Sequence, residues 1–200
     1  MDKRKARIII TVIGIILFLA FIVYESTRVP DYVPDTILFI ALTITLFLLY
    51  TKLDLDLVSY SAFIIALLFH NSGAFGWYNI SPIGIQWDHI THITGIFAPT
   101  LILFRYFRRL FTASKSNNLY VILIIILAAL GVGVVIEYYE FAGSFIIGQG
   151  EGGLGQGEGD IETELGNSLY LNTILDLIFN LIGAVLGVIT GFMLSYHKKV

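Results

Sequence analysis

Residues 119–147 read LYVILIIILAALGVGVVIEYYEFAGSFII, an uncharged run from Leu119 to Ile136 followed by Glu137-Tyr138-Tyr139-Glu140. An apolar run of about 20 residues is what a helix needs to cross ~30 Å of hydrocarbon. At ~1.5 Å per residue, Glu137 stands about 27 Å along that helix from Leu119, so the carboxylates fall near its far end. One segment thus states both themes of the chain, a membrane span and a group of ionisable side chains at one level of it.

The remaining sequence repeats the first theme. Further apolar runs occupy approximately residues 8–25, 36–50, 57–77, 88–104 and 171–196, giving with 119–147 six spans. The chain of 200 residues is 56% hydrophobic and 14% charged, well below the roughly one quarter charged usual in soluble domains. Its mean hydropathy is +0.83. A net charge of −3 without a basic patch argues against a nucleic-acid binder. Absence of cysteine removes disulfides, thiolate metal ligands and cysteine nucleophiles together. These features predict an all-α polytopic membrane protein, residues 1–200 forming a single transmembrane helical domain of six helices.

Basic residues set the expected orientation. With the N-terminus inside, Lys3, Arg4, Lys5, Arg7, Lys52, Arg105, Arg108, Arg109, Lys115, Lys198 and Lys199 all face the cytoplasm, and Arg28 alone falls outside. Both termini are therefore expected in the cytoplasm. The basic N-terminus resembles a signal-peptide start, but no small-residue cleavage pattern follows, so the first span reads as an uncleaved anchor. Outside, Trp77, Tyr78 and Trp87 stand where an interfacial aromatic belt would lie. The loop 148–168 contains eight glycines with Glu151, Glu158, Asp160, Glu162 and Glu164.

Ionisable residues inside spans are costly and point to function. His70 closes the third span, Trp87-Asp88-His89-Ile90-Thr91-His92 opens the fourth, Glu137 and Glu140 lie late in the fifth, and Asp176 and Asn180 lie early in the sixth. All belong to the outer half of the membrane. At ~100° per residue, Asp88, His89 and His92 share an arc of about 100°. Gly133, Glu137, Glu140 and Ser144 form a stripe, as do Asp176, Asn180, Gly183 and Gly187. Small residues on a polar stripe let helices approach and turn that stripe into the bundle. Pro99 is expected to kink the fourth span below this level.

Carboxylates gathered in low dielectric must share protons or hold a cation. Histidine mixed with carboxylate suits Zn²⁺, Mn²⁺ or Fe²⁺ better than Ca²⁺ or Mg²⁺. The expected metal ligands are Asp88, His92, Glu137 and Asp176, supported by His70, His89 and Asn180, with Glu140 as general base. No organic cofactor is indicated. Plainer readings stand beside this one: Asp88 as a helix N-cap, His70 as a buried histidine on a backbone carbonyl, and Asp176 with Asn180 as interhelical glue. The glycine-rich loop reads as a solvated loop, as a lid delivering Asp160 or Glu162, or as a broken calcium-binding repeat.

The order of four pieces resembles the uncharacterised YjdF-like integral membrane proteins, related to the VanZ-like superfamily. The pieces are His70 with Gly73 and Trp77-Tyr78-Asn79; Trp87 to His92 with Gly95; Glu137 to Phe141; and Gly157-Glu158-Gly159-Asp160 followed by Asp176, Asn180 and Gly183-Ala184. The chain departs from that family at Asn71-Ser72-Gly73-Ala74, where a Gly-Gly-His-Tyr stretch is usual, and in the extra run Glu162–Asn172. The resemblance implies functional positions at Asp88, His92, Glu137, Glu140, Asp160, Asp176 and Gly183, in the cytoplasmic membrane of a prokaryote. It also implies envelope lipids or lipid-linked precursors as substrates. Together these readings point to a metal-dependent hydrolase or transferase facing outside, with Glu140 and Asp160 catalytic. A proton- or cation-coupled transporter and a non-catalytic lipid-binding or assembly partner are the alternatives.

Overall fold

The computed structural model describes residues 2–111, 115–146, 149–150, 156–157 and 168–196. Six long helices carry the fold: α1 (Lys3–Arg28), α2 (Val33–Leu49), α3 (Leu57–Asn71), α4 (Trp87–Phe107), α5 (Lys115–Ile146) and α6 (Ser168–Tyr196). Each corresponds to a segment long and apolar enough to cross a membrane. The other regular structure is short 3₁₀ turns and a two-residue parallel ladder, Gln149–Gly150 on Gln156–Gly157.

Several helices run past the limits set by hydropathy alone. α1 starts five residues before Ile8, capped by the Asp2 side chain on the Arg4 amide, and continues beyond Glu25 to Arg28. α2 begins at Val33, so Asp35 lies in its first turn rather than ahead of it. α3 ends at Asn71 and passes into a 3₁₀ turn, Ser72–Phe75. Pro99 sits within α4, which continues through it to Phe107.

α6 lies tightly against α4. A Cβ added to Gly183 would overlap the carbonyl oxygen of Ile93, and one on Gly187 would come within 2.6 Å of Thr100 Cβ. One on Gly191 would come within 2.5 Å of the Phe104 ring. Glycine at these turns lets the two backbones meet, the close approach expected of small residues in membrane helices. α5 packs across this pair, with Ile96, Ala129 and Ala184 fully buried between the three helices. α1, α2 and α3 form the other half around Phe18, Phe39, Tyr60 and Ile64, and α3 joins it to α4.

The two ends of the bundle differ in charge. At one end Arg7 stacks over Phe47 and Tyr50, Arg105 faces Asp54 and Asp56, and Arg108 pairs with Asp54 at 2.7 Å. At the other end, the last turns of α1, α3 and α5 and the first turns of α2, α4 and α6 bring together carboxylates, histidines, tyrosines and amides.

Candidate functional site

α4 supplies the centre of that polar end. Gln86, not Asp88, is its N-cap residue, and Asp88 occupies the first turn. Four residues on, His92 falls on the same face, with its Nε2 3.5 Å from Asp88 Oδ1. The glycine contact with α6 places Asp176 and Asn180 opposite. Asp176 Oδ1 lies 3.6 Å from the same Nε2, while Asn180 Oδ1 lies 3.2 Å from His92 Nδ1. Asp176 and Asn180 are fully buried and His92 is 6% exposed. Asn172, one turn earlier on α6, donates its Nδ2 to Asp176 Oδ2 at 2.9 Å.

α5 adds the second wall. Glu137 and Glu140 share a face at a spacing of three, and their carboxylates gather with His92 so that one ligand atom from each lies within 4.8 Å of the others. The same limit holds for Asp88, His92 and Asp176. His92 therefore belongs to two overlapping sets of metal-ligating side chains.

One ligand atom each from Asp88, His92 and Asp176 lies close enough to the others for the three to share a metal ion. A charge-assisted N–H···O bond closes to about 2.7–2.9 Å. Bonds of about 2.0–2.2 Å at the tetrahedral angle instead hold ligand atoms about 3.3–3.6 Å apart. The two Nε2–oxygen separations, 3.5 and 3.6 Å, lie in the second range, as does the 3.5 Å between His70 and Asp35, so it is the convergence of three ligating side chains that singles out His92. Asp176 Oδ1 is moreover buried without a hydrogen-bond partner among the described residues. Asn180, by accepting from Nδ1–H, would select the tautomer whose Nε2 lone pair faces the carboxylates.

Two histidines depart from the sequence expectation. His89 shares the arc of Asp88 and His92, yet it stacks on Phe179 with ring centroids 4.0 Å apart and joins neither ligand set. His70 turns instead toward α2: its Nε2 faces Asp35 Oδ2 at 3.5 Å and its Nδ1 meets the Tyr78 hydroxyl at 3.0 Å. The i,i+1 step and the edge of the arc are enough to turn His89 aside. His70 is captured because residues 76–78 fold back over it. Asp160 and the other acids of the glycine-rich loop, Glu162 included, lie outside the described residues.

A neighbouring polar group was not expected from the sequence. Glu25 on α1 is fully buried and accepts the Thr36 hydroxyl at 2.9 and 2.7 Å and the Asn71 amide at 3.3 Å. Asp35 on α2, 1% exposed, accepts the Tyr139 hydroxyl from α5 at 2.7 Å. Tyr139 lies between Glu137 and Glu140 in sequence but points the other way, so α5 serves both groups. The aromatic residues also take inner positions. Trp87 is buried and donates its indole N–H to the Phe69 carbonyl at 3.1 Å, and Tyr78 is half-buried between His70 and Thr91. Burial pushes the Tyr78 phenol well above its usual range, and the charges of Asp88, Glu140 and Asp35 add to the shift.

Six apolar helices around a buried histidine–carboxylate centre define an integral membrane protein with an internal polar site. The chain belongs to the family of predicted membrane proteins designated DUF2238, which it matches over residues 6–198. No curated protein and no solved structure matched the chain.

Proposed function

We propose that this protein is a metal-dependent hydrolase or transferase of the prokaryotic cytoplasmic membrane, acting at its outer face on a lipid or lipid-linked envelope substrate. The observation that carries the reading is His92, whose Nδ1 is held by Asn180 while its Nε2 faces Asp88 and Asp176 at 3.5 and 3.6 Å. Asp88, His92 and Asp176 would hold the ion, with Glu137 beside them. Such an ion supplies an activated water or polarises a phosphoryl or carbonyl oxygen. Glu140 is the general base, being one turn from Glu137 and grouped with His92.

Clustering of Arg7, Arg105 and Arg108 at the opposite end of the bundle supports an outward-facing centre, since basic residues collect on the cytoplasmic side. The outer half of the membrane is where headgroups meet the protein, which favours an amphipathic substrate. The VanZ-like resemblance of the four sequence pieces leads to the same class. Among the described residues, Phe104, Val121, Ile125 and Val188 form an apolar cluster between α4, α5 and α6. That cluster weighs against a polar route for a carrier through this half of the bundle.

Metal analysis of detergent-purified protein tests the reading. About one equivalent of transition metal is expected in wild type and in His89→Ala, with loss in His92→Ala and Asp176→Asn. Well-folded wild type without metal overturns it, and cation- or pH-driven flux in liposomes would then favour the carrier.

A further inference from the structure

The residues that join the two polar groups form a chain with a direction. Asp35 Oδ2 faces His70 Nε2 at 3.5 Å, and His70 Nδ1 meets the Tyr78 hydroxyl at 3.0 Å. That hydroxyl in turn lies 3.4 Å from Thr91 Oγ1, whose own hydrogen bonds to the Asp88 carbonyl at 2.7 Å. A carboxylate, an imidazole and a hydroxyl thus stand in line, with the hydroxyl at the edge of the α4 turn that carries Asp88 and His92.

The backbone is built to put Tyr78 there. Gly76 has φ +78°, the left-handed region that glycine enters without steric cost, and it reverses the chain after the 3₁₀ turn. Gly73 lies under the returning phenol: a Cβ at this position would overlap the Tyr78 ring and come within 2.7 Å of the Tyr32 hydroxyl. The ring edge of His70 rests on Phe39, centroids 5.2 Å apart, which fixes the imidazole from its other side.

We propose that Tyr78 is the general acid of this centre, and that His70 and Asp35 are positioning residues that hold it and return its proton. The inference rests on the hydrolytic reading of the neighbouring Asp88–His92–Asp176 group. It extends that reading to the bond broken: an ester, phosphoric or carboxylic, whose leaving group is an alcohol. Such a leaving group departs as a strongly basic alkoxide unless it is protonated, and the Tyr78 hydroxyl, held by His70 and Thr91, is a proton donor separate from the base Glu140.

Glu140 takes a proton from water, and the water oxygen forms a bond to phosphorus or carbon. The bond to the alcohol oxygen breaks, leaving its electron pair on that oxygen, and the Tyr78 hydroxyl proton moves to it. The phenolate regains its proton through His70 Nδ1, while Asp35 faces the other ring nitrogen. One proton then returns to the Asp35–His70 pair for each that Glu140 releases. The net reaction is ester plus water to acid plus alcohol.

Leaving-group dependence tests the assignment. The probes are short-chain phosphatidylglycerol in detergent micelles, whose phosphoric and carboxylic esters have alkoxide leaving groups, and bis-p-nitrophenyl phosphate and p-nitrophenyl octanoate, whose leaving groups need no proton. Purified, metal-analysed wild type is compared with Tyr78→Phe, His70→Gln and Asp35→Asn. Cleavage of the alkyl ester is expected to fall about 10²–10⁴-fold in Tyr78→Phe while cleavage of the p-nitrophenyl esters changes little. The His70 and Asp35 variants are expected to show the same selectivity at smaller size. Equal losses on both kinds of probe would mean a structural role and overturn the proposal, as would wild type that cleaves only p-nitrophenyl esters. Wild type that cleaves no probe overturns the hydrolytic reading itself and the acid role with it.

Discussion

Asn180 of α6 presents its side-chain oxygen to His92 Nδ1 of α4 at 3.2 Å, so the other ring nitrogen is aimed at Asp88 and Asp176. Removing a partner of this kind from a metal-bound histidine costs about 10–100-fold in metal affinity. Asn180→Leu is therefore expected to weaken metal binding by about that factor in a chelator competition, with helix content unchanged. Asn180→Asp, which keeps an oxygen acceptor, is expected to bind more tightly than Asn180→Leu. Equal affinity in all three proteins would show that Asn180 does not orient the ring.

Gly183 holds the same interface from the backbone side. The Cβ of Gly183→Ala would overlap the Ile93 carbonyl oxygen, and backbone on α4 has no rotamer through which to yield. Separating the helices is expected to cost about 1–3 kcal/mol and to pull Asp176 away from His92. Gly95 is the control, because a Cβ there meets no atom within 4 Å. Gly95→Ala gains about 1 kcal/mol in helix propensity and should leave both thermal stability in detergent and metal content at or above wild type. Loss of metal in Gly95→Ala as well would remove the special role of the α4–α6 contact.

Apolar run length was enough to find all six helices, because in hydrocarbon the backbone has no alternative that satisfies its own polar groups. Helical spacing was enough to place Asp88 with His92 and Asp176 with Asn180, and the small residues of α6 marked the face that packs. Pairing of groups between helices was less legible. His70 and His89 both lie at the polar end of the bundle, but their partners depend on how residues 76–78 fold back and on where Phe179 falls. Glu25 and Asp35 were missed for a different reason. Each stands at a limit of an apolar run, Glu25 closing 8–25 and Asp35 just ahead of 36–50, where hydropathy alone does not mark an acid as buried. The helices in fact continue through them, and each is satisfied from another helix. The useful signal was already present: an acid within one turn of an apolar run, with a matching acid at the facing end of the next helix.

Glu25 gives a stability prediction that separates charge from hydrogen bonding. Its oxygens accept from Thr36 and Asn71, and Asn71 Oδ1 is buried without a hydrogen-bond partner among the described residues. Glu25→Gln keeps an accepting oxygen and brings an amide that can donate to Asn71 Oδ1. It is expected to fold at least as stably as wild type. Glu25→Leu leaves the Thr36 hydroxyl without its carboxylate acceptor and the Asn71 amide with Thr36 Oγ1 as its remaining acceptor, a loss of about 1–3 kcal/mol. Thermal unfolding in detergent distinguishes the two. Strong destabilisation by Gln would mean that the charge itself is needed at this position.

The absence of cysteine permits a clean test of which side the centre faces. Ile80, 82% exposed, lies in the segment between α3 and α4 at the acidic end of the bundle, whereas the exposed Lys52 lies between α2 and α3 at the basic end. Each can be replaced singly without any background thiol. If basic residues mark the cytoplasmic side, Ile80→Cys reacts with a membrane-impermeant maleimide in intact spheroplasts, and Lys52→Cys reacts only after permeabilisation. The reverse pattern would place His92 and its carboxylates in the cytoplasmic half. The geometry of the centre would stand, but its substrate would then have to come from the inner leaflet, and an outer envelope precursor would no longer be within reach.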